Sequence, residues 1–177
     1  GNAGAHGSDV AADLYLAEIL HHNKGNAERE SWSAEDFGYR YRSSILKRGE
    51  VEAVVLNAAF KLAHSTPDQV KTEISRIAEQ RKSTQPQGPS LGSMFKNPPG
   101  DYAGRLIEAA GLKGTRRGGA VISQVHANFF LNQGEATAFD IYQLIQLARD
   151  QVKEQFGIEL ELEILLIGDW NKGRENG

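Results

Sequence analysis

TAFDIYQLIQLARDQVKEQFGIELELEI, Thr137 to Ile164, carries two kinds of secondary structure in one unbroken run. Ile141, Leu144, Ile145, Ala148, Val152 and Phe156 trace one apolar stripe at helical spacing. Thr137 stands where a helix N-cap is needed and Gly157 where a left-handed residue ends one. The period then drops from about 3.6 residues to about 2. Ile158-Glu159-Leu160-Glu161-Leu162-Glu163-Ile164 alternates apolar and acidic, as a half-buried strand must. A helix followed directly by such a strand predicts an α+β fold.

Upstream of this run, short strands near Ala120 to Ser123 and Asn128 to Asn132 follow Gly118-Gly119. Asp101 is placed to cap a helix from Tyr102 to Ala110, which Gly111 ends. Pro86, Gly88 and Pro89 make Gln85 to Ser90 the best linker. Before it, Thr66, Pro67 and Gln69 form a capping-box start, and Val70, Ile74 and Ile77 recur at helical spacing. VEAVVLNAAFKL, Val51 to Leu62, is too short and too rich in adjacent apolar residues for a surface helix, which predicts a buried strand. A strand-like run from Asp13 to Leu20 and the turn-forming cluster His21 to Asn26 predict a hairpin, and Ser33 with Asp36 predicts one capped turn. The expected organisation is a first part over 1–85, completed by a returning strand at 158–168, a second domain over 86–157, and a polar tail over 169–177.

The composition narrows the function classes. With 40% hydrophobic and 24% charged residues, the chain has what an ordinary globular core needs. A net charge of −3 with interspersed signs offers no field for nucleic acid. No apolar run approaches the roughly 18 residues of a membrane span, and the start lacks the order of a signal peptide. The absence of cysteine excludes disulfides and thiolate chemistry and suits a cytoplasmic location. The five histidines show no metal-ligand spacing, so no metal is expected.

Three segments hold residues suited to chemistry. Gly92-Ser93-Met94-Phe95-Lys96-Asn97 groups a hydroxyl, an ammonium and a carboxamide on a loop. By pattern alone, the plainer reading is a connection whose serine and asparagine satisfy their own backbone. Glu163 ends a row of glutamates at the point where that strand face turns apolar, so a half-buried carboxylate is one reading and a solvated one the other. Tyr41-Arg42-Ser43-Ser44 places a guanidinium where it is either solvated or able to grip a carboxylate in bidentate fashion. Gly118-Gly119 lacks phosphate-loop spacing and predicts a tight turn.

GSMFKNPPGDYAGRLIEAAGLKG (Gly92 to Gly114), RRGGAVISQVHANFFLN (Arg116 to Asn132) and FGIELELEILLIG (Phe156 to Gly168) resemble the UDP-N-acetylenolpyruvoylglucosamine reductase family. NAGAHG and YRSSIL resemble its upstream motifs, in the same order. The uninterrupted passage from Leu56 to Thr66 resembles the shorter, type II form. The resemblance implies an FAD enzyme that uses NADPH to reduce UDP-N-acetylenolpyruvoylglucosamine to UDP-N-acetylmuramate for peptidoglycan synthesis. It implies Ser93 as proton donor, with Arg42 and Glu163 completing the catalytic set. It implies Asn97, Lys113, His126 and Tyr41 for substrate, and Asn2, Ala3 and Gly4 for FAD. It also implies an N-terminal FAD-binding segment before Asn2, without which this piece is expected to hold FAD weakly and to be inactive alone. Thr84 departs from the lysine that many relatives carry there. The rival expectation is a non-catalytic nucleotide-sugar binding module.

Overall fold

The computed structural model describes residues 1–23, 26–168 and 170. The chain divides into two compact units, Gly1–Ile77 and Ala78–Gly177.

The first unit opens on two short paired strands, β1 (Gly4–Ala5) and β2 (Ser8–Asp9), followed by one helical turn, α1 (Val10–Asp13). Asp9 caps that turn by accepting from the Ala12 N–H. The expected hairpin is present: β3 (Leu14–Asn23) pairs antiparallel with β4 (Asn26–Trp32). Its turn residues Lys24 and Gly25 lie outside the described residues. β5 (Ala53–Phe60) pairs with the other edge of β3, giving the order β4-β3-β5. Leu14, Ala17, Ile19, Trp32 and Phe37 form the core of this unit. Ser33 donates through its N–H and its hydroxyl to Asp36, at 2.7 and 2.8 Å, closing the expected turn.

Two expectations for this unit need correction. β5 is a strand but not a buried one, since Val54, Leu56 and Phe60 are 59%, 42% and 49% exposed. It is an edge strand, and the core of the unit reaches only Ala53 at its start. The helix α2 (Pro67–Thr84) begins as read, with Thr66 and Gln69 exchanging hydrogen bonds, but none of its residues is buried. Apolar periodicity marks a face suited to burial and says nothing of what covers it.

The second unit is built on the antiparallel sheet β6-β9-β8-β7, formed by β6 (Ser90–Ser93), β7 (Arg116–Arg117), β8 (Ala120–Ile122) and β9 (Phe129–Asn132). The helices α3 (Ala103–Ala109) and α4 (Ala138–Phe156) bury Leu106, Ile107, Leu144, Ile145, Ala148 and Val152 with Met94, Phe95 and Phe130. Both ends of α4 follow the sequence: Thr137 and Asp140 form a capping box, and Gly157 ends the helix at φ 70°. Gly119 is a packed turn residue, because a β-carbon there would lie 2.4 Å from the Ala136 nitrogen. The cap of α3 differs from the reading. Asn97 Oδ1 accepts from the Ala103 N–H at 3.1 Å, while Asp101 takes the Tyr102 N–H and pairs with Arg105.

The alternating run after Gly157 is extended but forms only an isolated bridge, Phe95 with Leu162. Leu160 is buried in the core of the second unit, with Ile158, Leu162 and Ile164 packed against it. This segment therefore belongs by its contacts to the second unit rather than completing the first, and the division falls within α2, not at Gln85. Of the tail 169–177, only Trp170 lies within the described residues. Among the described residues, no helix is long and apolar enough to cross a membrane.

Candidate functional site

Residues 93–96 run as the central line of the site, hydrogen-bonded on both sides. On one side the Met94 N–H donates to the Asn128 carbonyl at 2.8 Å. The Asn128 carboxamide then accepts from the Phe95 N–H at 2.9 Å and donates to the Phe95 carbonyl at 2.7 Å. On the other side the Lys96 N–H donates to the Glu161 carbonyl at 2.8 Å, and the Glu163 N–H to the Met94 carbonyl at 3.0 Å. A side-chain ion pair between Lys96 and Glu161 closes the same seam.

This arrangement brings Ser93 and Glu163 to one cavity of about 540 Å³, walled also by Arg81, Gln85, Pro86 and Phe129. Glu159 and Glu161 are exposed while Glu163 is half-buried, which selects one of the two readings the sequence left open. Ser93 also lines a second cavity of about 370 Å³ with Asn97, Tyr102, Arg105, Glu108 and His126. Lys113 reaches this second group through Glu108, its ion-pair partner at 2.7 Å. Burial pushes the His126 pKa below its ordinary value, and the charge of Lys113 adds to the shift. Ser93 is common to both cavities, one lined also by a carboxylate and the other by amide and imidazole groups.

The remaining candidates lie in the first unit. Arg42 holds a left-handed backbone, φ 53°, which costs a residue with a side chain about 1–2 kcal/mol and is found where surroundings enforce it. Its guanidinium donates to the Gly4 carbonyl at 3.3 Å and lies 5.3 Å from the centre of the Tyr41 ring. Asn2 is buried and braces its loop, donating to Asp9 at 2.8 Å and accepting from the Ala11 N–H at 3.0 Å. Ala3 is exposed and Gly4 half-buried beside it. The Thr84 hydroxyl turns back to the Gln80 carbonyl at 2.8 Å, so it does not reach toward a ligand.

Arg81, Gln85, Tyr102 and Arg105 were not among the residues singled out by the sequence. Arg81 and Gln85 stand one helical turn apart at the end of α2, a spacing that gives them a shared face. The segment expected to be only a linker is thus part of a cavity wall. Among the described residues, no group of histidine and acidic side chains is placed to hold a metal ion.

Residues 84–167 match the family described as UDP-N-acetylenolpyruvoylglucosamine reductase, C-terminal domain. Over 170 residues the chain is 51% identical to UDP-N-acetylenolpyruvoylglucosamine reductase of Chloroflexus aggregans, covering 94% of this chain and 56% of that protein. The Bacillus pumilus reductase is 41% identical, with 96% and 55% covered. The crystal structure of UDP-N-acetylenolpyruvylglucosamine reductase from Thermus caldophilus matches with a TM-score of 0.75 at 35% identity, over 93% of this chain and 56% of that one. The chain thus spans about half the length of the curated relatives it matches. Residues 84–167 thus carry the C-terminal domain of the UDP-N-acetylenolpyruvoylglucosamine reductase family, and the chain as a whole is similar to the C-terminal part of that family's members.

Proposed function

We propose that this chain is the substrate-handling part of a cytoplasmic, type II enzyme. The enzyme reduces UDP-N-acetylenolpyruvoylglucosamine to UDP-N-acetylmuramate in peptidoglycan precursor synthesis, with NADPH as reductant and FAD as cofactor. The observation that carries the reading is the shared position of Ser93, which lines one cavity with Glu163 and the other with Asn97 and His126.

The FAD, reduced by NADPH, supplies a hydride when bound. The residues of this chain do the rest. The hydride adds to the terminal vinyl carbon, the carbon–carbon π bond breaks, and the electron pair moves onto the neighbouring carbon and its carboxylate. Ser93 gives its hydroxyl proton to that neighbouring carbon, completing the saturated lactyl ether. A serine hydroxyl is a weak acid, so the step needs a fixed geometry in which the carbanion-like carbon is the stronger base. Backbone bonds on both flanks of residues 94–96 support such geometry. Arg42, with Tyr41 beside it, is assigned by the family resemblance to the grip on a substrate carboxylate, and Glu163 is assigned to the cavity it shares with Ser93. Asn97 and Lys113 serve the nucleotide end. Arg81 offers the positive charge that Thr84 does not.

The Asn2-Ala3-Gly4 loop fits a supporting role toward FAD. Asn2 holds the turn from within, and Ala3 and Gly4 are the residues that would hold the cofactor there. The 177 residues alone are proposed to bind FAD weakly and to lack activity, since this loop is a small share of a flavin site. The test joins the chain to the N-terminal part of the Chloroflexus aggregans relative. Oxidation of NADPH dependent on the enolpyruvyl substrate is expected. Ser93→Ala in that protein should leave flavin reduction by NADPH intact and block product formation. If both half-reactions proceed unchanged, Ser93 is not the donor.

A further inference from the structure

Gly104 sits in the first turn of α3, buried, in ordinary helical backbone. A β-carbon built there would lie 2.8 Å from His126 Cε1 and 3.2 Å from Nδ1. The imidazole therefore occupies the space that an alanine methyl would fill. Alanine is favoured over glycine in a helix interior by about 1 kcal/mol, so glycine here runs against local preference and makes room for the ring.

The contacts of that ring fix its chemistry. The Asn128 N–H lies 3.2 Å from His126 Nδ1. A main-chain N–H can only donate, so Nδ1 must present its lone pair, and the neutral ring carries its proton on Nε2. Phe129 stands edge to face against it, with ring centres 5.0 Å apart. Partial burial, the largest influence, and the charge of Lys113 oppose protonation, a hydrogen bond to the residue's own backbone and the charge of Glu108 favour it, and the net shift is downward. The neighbouring cations Arg105 and Lys113 are matched to Asp101 and Glu108. The cavity thus offers an uncharged donor where a phosphate would call for an imidazolium.

We propose that His126 determines specificity by donating its Nε2–H to an uncharged carbonyl oxygen of the ligand, and that Gly104 is the positioning residue admitting the ring. This rests on the sugar-nucleotide reading above and sharpens it: His126 reads a carbonyl, of either the base or the N-acetyl group, and not the diphosphate.

The test uses the chain with ¹⁵N-labelled imidazoles, whose long-range proton–nitrogen spectrum distinguishes the two neutral tautomers from the imidazolium. The expected result at about pH 7 is a neutral ring protonated on Nε2. UDP, N-acetylglucosamine 1-phosphate and inorganic pyrophosphate are then added separately. UDP alone shifting Nε2 assigns the carbonyl to the base, N-acetylglucosamine 1-phosphate alone assigns it to the acetyl group, and pyrophosphate should leave the signal in place. In Gly104→Ala the ring must swing away, so the Nε2 response should vanish and affinity for the responding ligand fall about tenfold, with the melting temperature little changed. His126→Gln, which keeps a neutral donor, should retain more affinity than His126→Ala and stands as the test should Gly104→Ala fail to fold. An imidazolium, a proton on Nδ1, an equal response to pyrophosphate, no response to any of the three, or unchanged binding in a folded Gly104→Ala overturns the inference. Enolpyruvyl-dependent activity in the joined protein without a response at His126 refutes this inference alone. A response without that activity refutes the reductase reading and spares this one.

Discussion

Replacing Asn128 tests the bracing of the site directly. Its carboxamide is 3% exposed and serves both polar groups of the Phe95 peptide, accepting from the N–H at 2.9 Å and donating to the carbonyl at 2.7 Å. Asn128→Ala removes both partners at once and leaves a buried N–H and a buried carbonyl unsatisfied. Each such orphan costs about 1–3 kcal/mol, so the loss should total about 2–6 kcal/mol, a large share of the roughly 5–15 kcal/mol typical of a domain. Urea unfolding followed by far-ultraviolet circular dichroism measures it. A second variant separates hydrogen bonding from shape. Asn128→Asp keeps the volume and can accept from the N–H, but the ionised carboxyl faces the Phe95 carbonyl with no proton to share. Its folded pKa is therefore raised above the unfolded value of about 3.9. The sign follows: below about pH 3.9, where the acid is protonated in both states, the variant approaches the stability of the parent chain. It loses that stability as pH rises toward the folded pKa. A loss under about 1 kcal/mol in Asn128→Ala, or an Asn128→Asp variant as stable as the parent at neutral pH, refutes the account of how residues 93–96 are held.

Gly119→Ala should destabilise by about 3 kcal/mol, because the new methyl meets main-chain atoms of Glu135 and Ala136 that cannot rotate away; thermal unfolding checks it. Gly157→Ala meets no atom within 4 Å but must hold φ 70°, so a smaller loss of about 1–2 kcal/mol is expected in the same assay. Thr137→Ala removes half of the capping box of α4 and should cost about 1 kcal/mol by urea unfolding. Arg105 holds the Asp101 carboxyl at a pKa of about 2, below its ordinary 3.8, so the pair contributes stability above pH 3.8 and loses it as pH falls through about 2. Carboxyl NMR titration should show the Asp101 midpoint rise in Arg105→Ala but stay below the ordinary value, because the Tyr102 N–H still donates to the carboxylate.

What the sequence made legible was local. The caps and stripe of α4, the hairpin of β3 and β4, and the glycine turn before β8 are each decided within a few residues by hydrogen-bonding side chains, period and backbone freedom. The errors came where a decision needed a distant partner. The apolar run of β5 and the stripe of α2 are real, yet neither pattern states what covers it. Asp101 had the spacing of a cap, but Asn97 reached the Ala103 N–H first because the Pro98-Pro99 bend brings its carboxamide over the start of α3. The half-burial of Glu163 was one of two readings its strand left open, and Leu165 and Ile167, the apolar residues next on that face, are themselves exposed. The meeting of Glu163 with Ser93 was not legible, because 70 positions separate them and no periodicity spans that interval.

The same long-range pairing explains how Ser93 and Glu163 are set at one cavity by the backbone. Residues 94–96 take main-chain bonds from Asn128 on one flank and from Glu161 and Glu163 on the other. A shift of this segment relative to either flank would break those bonds together, so the positions of the hydroxyl and the carboxylate are coupled through backbone rather than through flexible side chains. Main-chain bonds survive most substitutions, and the buried side chain in the bracket, Asn128, works by imitating a peptide group. The position of Ser93 therefore depends on Asn128, a residue of the neighbouring strand's approach that does not line the cavity shared by Ser93 and Glu163.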